Sequence, residues 1–307
     1  MSMAPAAAAG MPTTITTTTT TITPMPASGT AIGMADGGIR AASSEDAPVG
    51  GAVDVVATAP DGTSRAASAG LLDLMVWLSP AFPVGGFTYS HGLEWAIEDG
   101  SVATAADLEA WLGDVLRHGA GRNDAILFAA AWRAAAAWRG VTGSATAVGD
   151  VAILAEIVEL AAALQPTRER RLEASQQGAA FVKAVTDAWP HDAMAALVAA
   201  LQARFGTVPW TYAVAVATAS AAHGIALADA LPATLQAFAA NVISAGVRAI
   251  PLGQTDGLRI LRRLGPVIAA VAAEGLAAGL DDLGGAAVRA DIASMKHETQ
   301  YTRLFRS

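Results

Sequence analysis

The sequence of 307 residues is 53% apolar and only 15% charged, and alanine supplies much of the apolar excess. Because alanine is the strongest helix former, this composition favours an all-α protein with a core large enough for one or two domains. The formal net charge of −8 argues against general nucleic-acid binding, and the absence of cysteine excludes disulfides, thiol nucleophiles and cysteine-ligated metal centres.

The first 69 residues are strongly biased in composition. Nine of the eleven residues from Thr13 to Thr23 are threonine, and Pro, Gly, Ala and Ser are frequent afterwards. This composition predicts a disordered leader over residues 1–69, because too little apolar surface is available to offset the entropic cost of ordering. The first basic residue is Arg40, so the start lacks the charged region of a secretory signal, and we expect a cytoplasmic protein.

Helical spacing of apolar residues begins at Leu71 and continues to the end of the chain. The first predicted helix stops before Pro80, because a proline disfavours helix at the residue that precedes it. A Gly-rich turn at 83–86 follows, and a second helix is predicted over 88–99. Gly100 is suited to the left-handed position that closes such a helix.

The third helix has a clear start signal. Thr104 and Asp107 have the spacing of a capping box, and the apolar residues from Leu108 to Leu116 lie on one helical face. Further helices are predicted over 123–138, 151–164, 167–188, 191–204, 210–223, 229–249, 254–280 and 285–295. No run of alternating β-branched residues separates them, so the sequence predicts a single all-α, multi-helix bundle domain over residues 70–307.

Residues 205–247 carry a single formal charge, on Asp229. The stretch from Phe205 to Ala228 is long enough to span a bilayer, but it contains Pro, Gly, His and many Ala and Ser, so its transfer free energy per residue is weak. A helix that is apolar on all sides is also expected at the centre of a packed bundle. We therefore expect burial inside the protein and no membrane insertion.

Motifs for chemistry are scarce. The chain has neither a phosphate-binding loop of the G-x-x-x-x-G-K-[ST] type nor a dinucleotide G-x-G-x-x-G at a strand-to-helix turn. His91 and Glu94 are three residues apart on a predicted helix and would share a face, which is at most half of a metal site. Two interpretations stay open: a helical metal-binding enzyme that uses this pair, or two polar groups that satisfy each other or the adjacent turn.

The end of the chain departs from the Ala-rich pattern. Residues 294–307 contain two Arg, one Lys, one His, a Tyr and a Phe, and such side chains dominate interface energetics when a terminus is held in place. The sequence therefore predicts a docking tail over 294–307. Closer to the start, Phe87 and Tyr89 follow the Gly-rich turn, which would project them from a helix start. The Arg-rich stretch 167–173 is typical of a solvated helix start with intrahelical ion pairs.

Four stretches, in this order along the chain, resemble the UreF family of urease accessory proteins. They are Ser79–Glu94 (SPAFPVGGFTYSHGLE), Glu169–Gly178 (ERRLEASQQG), Asn241–Gln254 (NVISAGVRAIPLGQ) and Met295–Ser307 (MKHETQYTRLFRS). The resemblance covers about 71–307, and the leader has no counterpart in it. It implies a non-catalytic, all-α protein that forms a homodimer and acts as a scaffold in nickel delivery to apo-urease.

The resemblance also implies partners and site residues. The tail and the surface around it would dock the accessory protein UreD (also called UreH), and the assembly would recruit the GTPase UreG, which carries the nickel and the GTP, so that no metal or cofactor is expected on this chain. Phe87 and Arg303 would assemble the complex and couple it to GTP hydrolysis, while His297, Glu298 and Tyr301 would seat the tail. The complete set of candidate partner-binding residues is Phe87, Tyr89, His91, Glu94, His297, Glu298, Tyr301, Arg303, Leu304, Phe305 and Arg306.

Overall fold

The computed structural model describes residues 62–139 and 145–307, with side chains described over 69–139 and 151–307. These residues form eleven α-helices and two single 3₁₀ turns, at Gly86–Thr88 and Leu280–Asp282, and they contain no strand. The helices are α1 Gly62–Trp77, α2 Leu93–Glu98, α3 Ala105–His118, α4 Ala120–Arg139, α5 Ala145–Ala163, α6 Arg168–Ala188, α7 Asp192–Phe205, α8 Tyr212–Ala222, α9 Leu227–Ala249, α10 Gln254–Ala277 and α11 Val288–His297. The all-α prediction is confirmed.

Helix α1 begins at Gly62, inside the segment that composition assigns to the leader. Residues 62–69 are therefore helical in backbone, and the rest of the predicted leader lies outside the described residues. The helix ends at Trp77, just before Pro80, as the proline rule predicts.

Short residue patterns in the sequence predict the ends of several helices correctly. The backbone N–H of Asp107 donates to the Thr104 hydroxyl at 3.2 Å, and the backbone N–H of Thr104 donates to the Asp107 carboxylate at 2.9 Å, so the predicted capping box is present at the start of α3. Gly100 has a φ of 79°, the left-handed conformation predicted for it after α2. These interactions need only neighbours in sequence, and for that reason they are readable from sequence.

The predicted helix over 88–99 is wrong in its first half, because α2 starts only at Leu93. His91 and Gly92 have φ values of 61° and 77°, which are left-handed and cannot continue a right-handed helix. A Cβ on Gly92 would also lie 3.0 Å from the backbone nitrogen of Ser294 in α11. Glycine is therefore required here both by its backbone conformation and by the close approach of α11.

Helix α8 is the centre of the bundle. All residues from Ala213 to Ala222 are buried, and α4 and α6 pack against this helix. Its 11 residues are too few to cross a bilayer. Among the described helices, only Leu227–Ala249 is long and apolar enough for a membrane span by length and composition, and half of its most apolar window is buried within the protein. A core helix meets the same criteria, so this is weak evidence for a membrane span.

We expect Gly178→Ala to destabilise the fold by about 1–3 kcal/mol. A Cβ at Gly178 in α6 would lie 2.5 Å from the carbonyl oxygen of Trp210 and 2.8 Å from the carbonyl carbon of Thr211, and backbone atoms cannot move aside as a side-chain tip can. Urea unfolding followed by circular dichroism measures the change.

Gly113→Ala in α3 is the matched control. The nearest atom to a Cβ there is the end of the flexible Arg117 side chain, at 3.1 Å. Removing a helical glycine without a backbone clash should leave the stability unchanged or raise it by up to about 1 kcal/mol. Equal unfolding midpoints for the two variants would contradict the close packing of α6 on α8.

Candidate functional site

A dense polar cluster lies where the chain returns to its own body after α11. Ser294–His297, which the sequence assigns to the tail, are the last turn of α11. The C-terminal segment, which we define as residues 298–307, then contacts the start of α2 and the first turns of α6. The predicted tail over 294–307 is therefore a helical turn followed by a segment of turns and bends, and both are docked on the chain itself.

The carboxylate of Glu94 holds this segment by its backbone. It accepts the N–H of Leu304 at 2.6 Å and the N–H of Phe305 at 2.9 Å, and one of its oxygens lies 3.1 Å from Nε2 of His297. Glu94 is only 7% exposed. A buried carboxylate is costly unless charge-assisted hydrogen bonds satisfy it, so Glu94 and the segment require each other.

A second carboxylate extends the cluster on the other side of His297. Nδ1 of His297 lies 2.6 Å from Oε2 of Glu169, and Nη1 of Arg303 donates to Oε1 of the same residue at 2.6 Å. The carboxylate of Glu298 accepts the backbone N–H of Glu169 at 3.2 Å. His297 is fully buried, and both of its ring nitrogens lie within hydrogen-bond distance of a carboxylate oxygen, Nδ1 near Glu169 and Nε2 near Glu94.

The last two residues are fixed by the loop before α2. The backbone N–H of Arg306 donates to the Thr88 carbonyl at 2.8 Å, and the backbone N–H of Ser90 donates to the Ser307 carbonyl at 2.9 Å. The Ser307 hydroxyl donates to Glu173, and Ser307 is fully buried. The backbone groups of Thr88 and Ser90 thus bind the C-terminal segment, and the left-handed residues 91 and 92 follow directly. These contacts explain why the stretch before α2 is not helical.

Side chains of residues 304–307 in the C-terminal segment alternate between solvent and the body, and residues 301–303 are exposed. Phe305 is 5% exposed and Ser307 is buried, whereas Leu304 is 73% exposed and Tyr301 fully exposed. The guanidinium of Arg306, also on the outside, lies 5.8 Å from the ring centre of Tyr89. The docked segment thus has an inner face that binds the body and an outer face that is open to solvent.

The base of the cluster is an ion pair in α6 with a histidine beside it. Burial alone would raise the pKa of Glu173, but the adjacent Arg170, with help from His91 and Ser307, lowers this pKa to about 2. Burial, and then the nearby Arg170 charge, lowers the pKa of His91 to about 4. At neutral pH the Glu173 carboxylate is therefore ionised and the His91 ring is neutral. The intrahelical pairing expected for Arg170 is present, but both partners are buried, contrary to the solvated helix start that the sequence predicted.

The structure divides the candidate partner-binding residues into two groups. The buried ones are Tyr89, His91, Glu94, His297 and Phe305. The exposed ones are Phe87, Glu298, Tyr301, Arg303, Leu304 and Arg306. In this conformation the first group contacts the protein's own interior, and only the second group has side chains that another molecule can reach.

The proposed pairing of His91 with Glu94 is wrong. His91 precedes α2, and its Nδ1 lies 3.8 Å from a carboxylate oxygen of Glu173, while Glu94 is bound to His297 and the C-terminal segment. The two side chains therefore do not form one site. Within residues 69–139 and 151–307, no group of three or more His, Asp or Glu side chains has the geometry to hold a metal ion.

Sequence reasoning missed three residues that bind the segment, namely Ser90, Glu169 and Glu173. The two glutamates were visible as part of the Arg-rich start of α6, but nothing local to them identifies their partners. Arg303 is 134 residues away from Glu169, and Ser307 is 134 residues away from Glu173. Patterns of neighbouring residues carry no information about contacts at such separations.

We expect Glu94→Gln to release the C-terminal segment. The amide side chain retains one accepting oxygen instead of two, so at least one of the two backbone N–H groups loses its charged partner, and hydrogen bonds to charged groups contribute about 1.5–3 kcal/mol each. Cleavage by trypsin after Arg303 should accelerate at least about tenfold. Mass spectrometry of the digest measures this rate.

The control is Glu98→Gln, an exposed carboxylate on the same helix, which should leave the cleavage rate unchanged. Unaltered cleavage of the Glu94→Gln protein would show that Glu94 does not hold the segment.

We expect His91→Asn to flatten the acid dependence of stability. The pKa of His91 in the folded protein is about 4, below its ordinary value of 6.5, so between these pH values the unfolded chain binds more protons. Stability from this group is thus complete above pH 6.5 and is lost as the pH falls towards 4, by an amount on the order of 3 kcal/mol. Asparagine tolerates the left-handed backbone and does not titrate.

Urea midpoints between pH 4 and 8 check this expectation. Glu173 loses its contribution only below its ordinary value of 4.5. The pKa of Asp124, which burial raises to about 6, acts in the opposite direction but is common to both proteins. If the two proteins lose stability equally from pH 6.5 to 4, His91 is not the group responsible.

Comparison with known proteins gives a consistent result. Residues 102–265 match the family model described as UreF. A protein of Rhodopseudomonas palustris is 51% identical over 78% of this chain and 94% of its own length, one of Xanthobacter autotrophicus is 49% identical over 80% and 95%, and one of Bradyrhizobium diazoefficiens is 48% identical over 78% and 93%. All three are named urease accessory protein UreF. The chain therefore belongs to the UreF family of urease accessory proteins.

Proposed function

We propose that this chain, whose family places it in urease maturation, acts there as a non-catalytic scaffold. Its docked C-terminal segment and the adjacent Gly-rich turn bind UreD (UreH). The resulting complex recruits UreG, which carries the nickel and the GTP, and nickel is delivered into apo-urease. This chain contributes a shaped surface and can modulate the GTPase activity of UreG without holding the nucleotide or the metal.

The observation that carries the proposal is the outer face of the docked segment. Tyr301 is fully exposed, Leu304 is 73% exposed, and Phe87 in the neighbouring Gly-rich turn is 64% exposed. Large apolar and aromatic side chains that the fold leaves in solvent commonly mark protein interfaces. The segment is also held from behind by buried carboxylates, so these side chains are presented by a rigid support and lose little entropy on binding.

The geometry of the Gly-rich turn is a second argument for binding at the outer face of the docked segment. Gly85 has a φ of 71°, and a Cβ on Gly86 would lie 2.5 Å from the side-chain nitrogen of Asn241. The left-handed backbone at Gly85 therefore favours glycine, a side chain at position 86 would displace the Asn241 side chain, and the turn directs Phe87 outward. Arg303 and Arg306 add positive charge beside these apolar groups, which favours a partner surface with acidic groups around an apolar patch.

The buried residues have a supporting role in this proposal. Glu94, His297 and Phe305 fix the position of the segment instead of contacting a partner directly. The alternative function, a metal-binding enzyme built on His91 and Glu94, lacks this support, since each of the two side chains has separate neighbours. Tight stoichiometric nickel binding by the isolated chain in equilibrium dialysis, lost on changing both residues, would favour that alternative.

Homodimer formation is part of the proposal and has a second apolar face to support it. Leu72, Met75 and Val76 of α1 are exposed by 63%, 64% and 46%, and they line a groove with Phe82 and Trp189. Two copies of a chain with a net charge of −8 repel each other, and this repulsion is weakest when they approach through uncharged faces. Static light scattering of the purified chain tests dimer formation separately from partner binding.

We expect the double variant Tyr301→Ala, Leu304→Ala to weaken binding to purified UreD at least about tenfold, because truncation of interface hot spots costs about 2 kcal/mol or more. Helical content and resistance to trypsin should stay as in the parent protein, since neither side chain contacts the body. Biolayer interferometry measures the affinity.

Leu258→Ala is the matched control, because Leu258 is 68% exposed on α10 and lies outside the docked segment. Point variants are preferable to deletion of residues 294–307, which would also remove the last turn of α11 and the buried His297. Undiminished affinity of the double variant for UreD would overturn the proposed role of this face.

A further inference from the structure

Arg248 belongs neither to the candidate partner-binding residues nor to the polar cluster described above, yet it contacts the C-terminal segment. It lies in the last turn of α9. Its guanidinium carbon is 4.7 Å from the ring centre of Phe305, and its Nε donates to the Ser244 carbonyl at 3.1 Å. Among the described residues no carboxylate lies within 4.0 Å of this guanidinium.

The contact has the geometry of a cation–π interaction at the protein surface. A guanidinium within about 6 Å of an aromatic centroid is attracted by the ring's electron density. Phe305 is 5% exposed while Arg248 itself is exposed, so the arginine is an outer cover of the ring. Partial burial lowers the pKa of Arg248, but the guanidinium stays charged.

The other anchors of the segment are of two kinds: Glu169 and Glu173 bind the side chains of Arg303 and Ser307, whereas the residues between these two are held from α2 by backbone groups only. Glu94 binds the backbone N–H groups of Leu304 and Phe305, which any residues at these positions would supply. Phe305 is the one buried side chain among residues 301–306. Over residues 304–307 exposed and buried side chains alternate, so a shift of one residue would exchange the two sets of positions. Recognition of Phe305, together with the side-chain contacts of Arg303 and Ser307, therefore decides which side chains point outward.

We propose that Arg248 is a positioning residue that fixes the register of the C-terminal segment by covering Phe305. With Phe305 under the guanidinium, Leu304 and Arg306 face solvent. The importance of this register for UreD rests on the proposed function, whereas the register itself is a property of the isolated chain. The two can be tested separately.

The first test is hydrogen exchange on the isolated full chain, read at the amides of Leu304, Phe305 and Arg306. Arg248→Ala removes the cover and the charge, and exchange at these amides should accelerate at least about tenfold, because an exposed Phe side chain loses a large share of its burial free energy. Arg262→Ala, an exposed arginine on α10, should leave the three amides unchanged.

Two further variants separate the effect of the Arg248 charge from the effect of the side chain that covers Phe305. Arg248→Met keeps a long apolar cover without a cation, and exchange should accelerate about two- to fivefold, the range expected for loss of a surface cation–π contact. Arg248→Lys keeps the charge and should restore slower exchange than Arg248→Met. Unchanged exchange in Arg248→Ala, or equal exchange in the Met and Lys variants, would overturn the proposal.

The second test measures the affinity of Arg248→Ala for purified UreD. Weaker binding together with faster exchange supports both the proposed register of the segment and the role of that register in UreD binding. Faster exchange with undiminished binding supports the positioning role of Arg248 and contradicts the proposed use of the segment in UreD binding. The two failures are thus distinguishable.

Discussion

The structure around the candidate site depends on the burial of one carboxylate. Glu94 is almost inaccessible to water, and an ionised group in such a place must be satisfied by donors from the protein. Its donors come from His297 and from two backbone N–H groups about 210 residues further along the chain. Because Glu94 lies at the start of α2, directly after the loop, and binds the segment through these hydrogen bonds, docking of the segment and folding of the loop before α2 are coupled.

A second layer of charges extends this coupling into α6. Glu169 and Glu173 are one helical turn apart, and each receives one residue of the C-terminal segment, Arg303 and Ser307 respectively. Arg170 neutralises Glu173 from within the same helix. The helix therefore contributes a row of acceptors at fixed spacing, which holds an otherwise irregular segment at several points along its length.

The sequence predicts more of the fold than of the candidate site. The capping box at Thr104, the left-handed Gly100 and the apolar α8 were predictable, because helix caps and helix faces involve residues three or four positions apart. The helix predicted over 88–92 is wrong, because the left-handed Gly92 packs against α11 and the backbone of Ser90 binds Ser307, and both partners are distant in sequence. The resemblance indicated which residues matter at the site, but it could not separate those facing inward from those facing solvent.

The alternation of side chains along residues 304–307 has a consequence for divergence within the family. Positions 305 and 307 are constrained by the chain's own interior, so a substitution there must be matched by changes in α2, α6 or α9. The side chains at positions 301 and 304 are mostly exposed and have no such internal constraint, so they can vary together with a surface that meets them. In the proposed scaffold role, recognition specificity can therefore change on one side of this short segment while its anchorage on the opposite side is preserved.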